Sequence, residues 1–171
     1  RDLISLGRNA REEVKIKVRQ PISEVILDGK KEAIISDLSD LIKEVANLDG
    51  DFRVRVGMMH PKNILNDVDE IIDAIKHPKV YDFIHLPVQS GNNRILKEMN
   101  RHYTRERYLE LINYAKEKIP NVDLTTDIIV GFPGETEEDF ENTLEILRRV
   151  KFDMIFSFIY SPRKGTPAAE M

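Results

Sequence analysis

Three segments hold the residue types that ligand chemistry needs, each where an apolar run ends. They are His85-Leu-Pro-Val-Gln-Ser-Gly91, Asp127-Ile-Ile-Val-Gly-Phe-Pro-Gly-Glu-Thr136 and Tyr160-Ser-Pro-Arg-Lys-Gly-Thr-Pro-Ala-Ala169. Gln89, Ser90 and Gly91 set an amide, a hydroxyl and a permissive backbone side by side, which can grip a nucleoside or an amino-acid group. The same three can equally be a plain turn into the next helix. Gly131 and Gly134 flank Phe132-Pro133 and leave the backbone bare, so that a purine can lie against it. One glycine would suffice for a tight strand-to-helix turn, so this segment favours function over structure. Glu135 is either a loop ligand or the first acid of a helix cap. Arg101 can meet a ligand carboxylate or neutralise a helix end, and Arg163 can meet an anionic group or a neighbouring domain.

Other chemistries find little support. With no cysteine among 171 residues, disulfides, thiolate metal sites and cysteine nucleophiles are excluded. His60, His77, His85 and His102 show no spacing typical of a metal site, and no metal or catalytic residue is assigned. His77-Pro78 reads as a helix terminator. His85 points into the expected interior, where a packed or hydrogen-bonded role is favoured over ligation. A barrel enzyme using carboxylates and His85 is a third option, but no acid–base pair stands out in the sequence. Phosphate loop, nucleophile elbow and dinucleotide fingerprint are all missing. The net charge of −4 argues against bulk attraction to nucleic acid. Residues 1–20 are the basic exception, with Arg1, Arg8, Arg11, Lys15, Lys17 and Arg19 against Asp2, Glu12 and Glu13. No apolar stretch approaches a membrane span, and a cytoplasmic protein without membrane contact is expected. Both ends of the chain look cut.

Positioning these loops requires strands that deliver them and helices that return the chain. Leu3, Ile4, Leu6, Ala10 and Val14 fall at helical spacing, Ile22–Leu27 reads as a strand, and residues 33–45 resume helical spacing. Leu48-Asp-Gly-Asp51 is the clearest turn. Strands then alternate with helices: 52–58 before 68–75, 81–88 before 95–99 and 108–119, 123–130 before 140–150, and finally 154–160. That alternation predicts a parallel sheet with right-handed crossovers. Polar residues alternate with apolar ones along several strands: Arg53 and Arg55, His85 and Gln89, Asp123, Thr125 and Asp127. An open sheet buried on both faces would be nearly continuous in apolar residues. An incomplete α/β barrel with a polar interior is expected, the competing reading being a solvated sheet edge.

Together, the three segments resemble the central barrel of the radical S-adenosylmethionine methylthiotransferases that modify tRNA, over about residues 47–171. Val56-Gly-Met-Met-His-Pro61 and His77-Pro78-Lys-Val-Tyr81 are most similar to the archaeal and eukaryotic branch, which acts on threonylcarbamoyladenosine beside the anticodon. The resemblance implies an α/β fold, a partial parallel barrel of the radical S-adenosylmethionine type. It places Gln89, Ser90, Arg101, Asp127, Gly131, Gly134 and Arg163 around S-adenosylmethionine, and makes tRNA the partner. The family's four-iron four-sulfur cluster sits on a Cys-x-x-x-Cys-x-x-Cys loop that has no counterpart here, so the chain alone is expected to be inactive.

Residues 1–45 resemble another family. Ile4-Ser-Leu-Gly-Arg-Asn-Ala-Arg-Glu-Glu13, Lys17-Val-Arg-Gln-Pro21 and Leu38-Ser-Asp-Leu-Ile-Lys-Glu44 are similar to the anticodon-binding region of archaeal-type isoleucyl-tRNA synthetases. The expected organisation is therefore a helix–strand–helix segment over 1–45 and the C-terminal half of a barrel over 46–171, joined in a chimera or as a divergent natural N-terminus. The alternative function is a non-catalytic tRNA-binding or folding module in which Arg8, Arg11, Lys15 and Lys17 touch phosphates. Half a barrel leaves sheet edges open, which a second copy or Ile22–Leu27 could cover.

Overall fold

The computed structural model describes residues 38–171 apart from Asn66. Of the N-terminal helix–strand–helix segment, only its last helix, α1 (Leu38–Ala46), falls among them; it buries Ile42 and Ala46. An extended stretch follows, touching its neighbour through parallel bridges Val54↔Val80 and Met58↔His85. The strand expected over 52–58 is thus two contacts and not a continuous ladder. A short helix unforeseen in the sequence, α2 (Pro61–Ile64), begins on a proline, whose missing N–H costs nothing in a first turn. Then comes α3 (Val68–Ile75), on which α1 packs and which buries Ile71, Ile72, Ala74 and Ile75.

From there each strand feeds a helix: β1 (Phe83–His85), α4 (Asn93–Glu98), α5 (Arg105–Lys118), β2 (Asp123–Val130), α6 (Glu137–Val150) and β3 (Met154–Ile159), with a 3₁₀ turn at Pro167–Ala169. Side chains explain where the helices begin. Asn92 accepts from the Arg94 and Ile95 amides, Thr104 from Arg107, and Thr136 with Asp139 forms a reciprocal capping box.

β1, β2 and β3 pair in parallel and lie in chain order, with Phe83 opposite Asp123 and Thr125 opposite Met154. An order that never reverses, joined by right-handed crossovers, sends every connecting helix to one face. Ile84, Leu86, Val88, Leu124 and Ile128 are buried on that face, in one core with Leu96, Tyr108, Ile112 and Ile146. The opposite face carries His85, Thr125 and Asp127. This is the arc of a barrel, as the alternating strands imply.

Pro87 explains why β1 stops short of the expected residue 88. It has no N–H to offer the ladder. Thr126, fully buried, stitches the gap: its Oγ1 donates to the Leu86 carbonyl at 2.9 Å and accepts from the Val88 amide at 2.9 Å. Tyr108 adds its hydroxyl to the same Leu86 carbonyl at 2.7 Å, and burial pushes its pKa up. Among the described residues, β3 is paired on one side only. All six of its residues are exposed, Phe158 at 54% and Ile159 at 87%.

Candidate functional site

Parallel strands deliver their loops to one end of the sheet, the end where α/β proteins hold ligands. Three clusters form there from residues distant in sequence.

The first lies in the loop after β2. Gly131 and Gly134 both adopt positive φ, +73° and +76°, which glycine tolerates best. The Gly131 amide donates to Glu135 Oε2 at 2.6 Å, so the carboxylate staples the loop. Glu135 Oε1 is buried with no hydrogen-bond partner among the described residues. A Cβ added at Gly131 would meet nothing within 4 Å, whereas Phe132 is buried edge-on against Tyr160, 5.1 Å between centroids. That contact ties this loop to the one after β3. Arg94 donates to the Gly134 carbonyl at 2.9 Å and pairs with Asp139. The Thr136 amide, followed by the other groups around it, holds the Asp139 carboxyl below the ordinary carboxylate range.

The second lies on the loop after β1. Gln89 has φ +66°, an uncommon setting for a residue with a side chain. Its backbone is pinned to β2, donating to Asp127 O and accepting from Ile129 N, both at 2.9 Å. Ser90 lies beneath the loop, fully buried, its Oγ accepting from the Asn92 amide at 3.2 Å and standing 3.5 Å from Thr143 Oγ1. It holds the loop's shape from below. Gly91, read from sequence as a permissive backbone position, is instead the tightest point: an added Cβ would lie 2.4 Å from the Asn142 carbonyl oxygen and 2.5 Å from Thr143 Cα. Gln89 also lines a cavity of about 180 Å³ with Arg101, His60 and Tyr103. Tyr103 donates to the Pro87 and Val88 carbonyls at 3.2 Å, and burial pushes its pKa up to about 12. Arg101 Nη1 stands 3.2 Å from His60 Nε2.

The third corrects a reading from sequence. An acid–base pair does exist: His85 Nε2 and Asp127 Oδ1 are 2.8 Å apart, both side chains 15% exposed. The two stand on adjacent strands, 42 positions apart in sequence, where no motif scan pairs them. Phe156 flanks the imidazole at 5.9 Å. Asp127 Oδ1 is thereby engaged by His85.

Of the sequence-predicted residues, Gln89 and Arg101 meet at one cavity, while Gly131 and Gly134 share a loop. Asp127 sits on the inner face. Arg163 is exposed after β3, and there its carbonyl, accepting from the Thr166 amide and hydroxyl, makes the turn. Arg8, Arg11, Lys15 and Lys17 lie outside the described residues. Among the described residues, no three His, Asp or Glu side chains cluster as metal ligands, and no helix is long and apolar enough to cross a membrane.

Against known proteins, the profile of the Radical SAM superfamily matches residues 6–147. The match thus begins well upstream of the division drawn at residue 46. The chain is 48% identical over 181 residues to a tRNA-2-methylthio-N(6)-dimethylallyladenosine synthase of Clostridium tetani, covering 96% of this chain and 39% of that protein. It is 51% identical over 133 residues to the synthase of the same name from Carboxydothermus hydrogenoformans, covering 78% and 30%. The chain thus spans well under half the length of these relatives. Among solved structures, the coproporphyrinogen III oxidase HemN of Escherichia coli, described as a Radical SAM enzyme, superposes with a TM-score of 0.59 at 25% identity, over 81% of this chain and 31% of that one.

Proposed function

The chain belongs to the Radical SAM superfamily, and on that premise we propose that residues 46–171 are the second half of a tRNA methylthiotransferase barrel whose strand-end loops hold S-adenosylmethionine. The observation that carries this reading is Glu135 Oε1, a buried acceptor without a partner among the described residues, in the loop where Gly131 leaves open space. An adenine ring needs such a surface: a bare backbone to lie on and an acceptor for its amino group. Gly131 and Gly134 keep the loop clear of side chains. Gln89, Arg101 and Asp127 offer polar groups toward the rest of the cofactor, and Ser90 fixes the loop that carries Gln89. Arg163 stands ready on the loop after β3. When bound, S-adenosylmethionine supplies an activated methyl group and the precursor of a radical.

The family's four-iron four-sulfur cluster is another matter. It is held by thiolates, and the sequence contains no cysteine, so the residues present do not fit it. The chain alone is therefore inactive in reductive cleavage of the cofactor. In a full-length parent the substrate would be a modified adenosine of tRNA. The resemblance of Val56–Pro61 and His77–Tyr81 supports a threonylcarbamoyl substituent, whereas the names of the relatives favour dimethylallyl. Binding of anticodon stem-loops carrying either base separates the two.

The lack of cysteine also favours a second reading, a non-catalytic tRNA-binding module. That reading requires salt-dependent tRNA binding lost on neutralising Arg8, Arg11, Lys15 and Lys17. The primary test is calorimetric titration of the purified chain with S-adenosylmethionine. Saturable binding abolished by Gly131→Leu is the expected result. Failure of a cooperatively folded chain to bind overturns the cofactor assignment.

A further inference from the structure

We propose that Arg94 is a positioning residue: it holds the Gly134 carbonyl and so keeps the loop of Gly131–Glu135 in its ligand-ready shape. The inference deepens the cofactor reading of that loop and rests on it. Within the loop, the Gly131 amide donates to Glu135 Oε2 at 2.6 Å, and the Glu135 amide to the Phe132 carbonyl at 2.9 Å. Both bonds begin and end in the loop, so they shape it without fastening it to the rest of the protein. Gly131 and Gly134, at positive φ of +73° and +76°, give this stretch unusual backbone freedom. A hold from outside is needed.

It comes from either end. Phe132 packs edge-on against Tyr160, and Arg94 Nη2 donates to the Gly134 carbonyl at 2.9 Å. That carbonyl shares a rigid peptide plane with the Glu135 amide. Fixing it fixes the direction in which Glu135 leaves the backbone. Arg94 thereby aims Glu135 Oε1, the buried acceptor with no partner among the described residues. No other donor reaches the Gly134 carbonyl among the described residues.

Arg94 has a firm footing of its own. Its amide donates to the Asn92 cap at 2.8 Å, and Gly91, just upstream, is locked to α6 by its 2.8 Å bond to Thr143 Oγ1. Nη2 carries two hydrogens, and the second serves Asp139. Taken alone, a half-exposed guanidinium beside a helix-cap acid is a surface ion pair of little worth. The cap argues for more. Asp139 Oδ2 already accepts from the Thr136 amide and hydroxyl, both at 2.8 Å, and the Asp139 amide returns a bond to Thr136 Oγ1 at 3.2 Å. The helix start is complete without Arg94, whereas the Gly134 carbonyl is not.

The test first follows the loop without ligand, by NMR of the isotope-labelled chain. The Gly131 amide, bonded to a carboxylate, is expected downfield and slow to exchange. In Arg94→Met, which keeps the apolar stem and removes the donors, that signal moves upfield and exchanges about tenfold faster. Arg94→Lys, which restores a cationic donor, returns both toward the parent. Thr136→Ala weakens the same helix cap but leaves Arg94 its carbonyl; it lowers Tm and leaves the Gly131 signal in place. A Gly131 amide unmoved in Arg94→Met, or moved as far by Thr136→Ala, overturns the proposal. Calorimetric titration with S-adenosylmethionine then joins loop to ligand, and Arg94→Met is expected to weaken binding about tenfold through lost preorganisation. Weaker binding with the Gly131 signal unmoved means that Arg94 touches the ligand itself. Equal binding with the signal moved means that the shape of the loop does not serve the ligand. Either overturns the positioning role. Should the parent chain itself fail to bind, the cofactor reading falls and takes the ligand half of the proposal with it, while the Gly131 amide still decides whether Arg94 sets the loop.

Discussion

Gly91→Ala is expected to damage this protein more than any change at the glycines that a sequence reader would choose first. The new methyl carbon would lie 2.4 Å from the Asn142 carbonyl oxygen and 2.5 Å from Thr143 Cα, where ordinary contact begins near 3.4 Å. About 1 Å of separation must therefore be found. It cannot come from a rotating side chain, because both obstacles are backbone in the second turn of α6, anchored by buried Thr143 and Ile146. Overpacking of this kind costs about 1–3 kcal/mol. Pushing the strands of backbone apart also stretches the 2.8 Å bond from the Gly91 amide to Thr143 Oγ1, worth about 1 kcal/mol. The expected loss is about 3 kcal/mol, or roughly 6–12 °C in Tm for a chain of this length.

Gly131→Ala supplies the contrast. Nothing stands within 4 Å of its Cβ position, so only the positive φ resists, at about 1–2 kcal/mol. Urea and thermal unfolding of the two variants beside the parent, with coincident transitions as the check on two-state behaviour, decide the matter. A Gly91→Ala protein within about 0.5 kcal/mol of the parent, or more stable than Gly131→Ala, would refute the packing argument.

Tyr108→Phe is expected to cost only about 1 kcal/mol by urea unfolding, because Thr126 still serves the Leu86 carbonyl. Thr126→Val is expected to cost more, about 1–3 kcal/mol, since the buried Val88 amide then has no acceptor. Asp139, with its carboxyl held below the ordinary range, contributes stability that is present above the unfolded pKa of about 3.8 and is lost as pH falls through the lower folded value. Tm measured from pH 7 downward should fall more steeply below pH 4 in the parent than in Asp139→Asn. β3, apolar and paired on one side only among the described residues, invites antiparallel pairing with a second copy about a twofold axis. Sedimentation should show concentration-dependent association that Phe158→Lys removes; association unchanged in that variant places the contact elsewhere.

What the sequence made legible was whatever repeats locally. The spacing of Val68–Ile75 and the alternation of Asp123–Val130 foretell those elements to the residue. The shared polar face of the strands foretells the barrel arc. Hidden from that view is anything built by neighbours across the sheet. His85 meets Asp127, and His60 meets Arg101, through the register of parallel strands and the return of a helix, across more than forty positions each. The shortened β1 had a visible cause in Pro87, but its repair by Thr126 did not, because a threonine on a strand gives no sign of which face will be dry. Gly91 was read as loop freedom. Its actual constraint, the close approach of α6, exists only once the helix has folded back.

The unbroken strand order has a consequence for how the molecule comes into being. Each strand pairs with the one made just before it, at separations of 40 residues from Phe83 to Asp123 and 29 from Thr125 to Met154. The entropic difference between closing such loops is about 0.3 kcal/mol, so no pairing is markedly harder to reach than another. A chain emerging from the ribosome can therefore dock each strand and helix onto the finished edge of the last, never waiting for a distant partner and never reopening what is already built. In a doubly wound sheet the first strands must hold a central place open for neighbours on both sides. Here assembly can run in one direction, and β3 is the edge at which growth would resume.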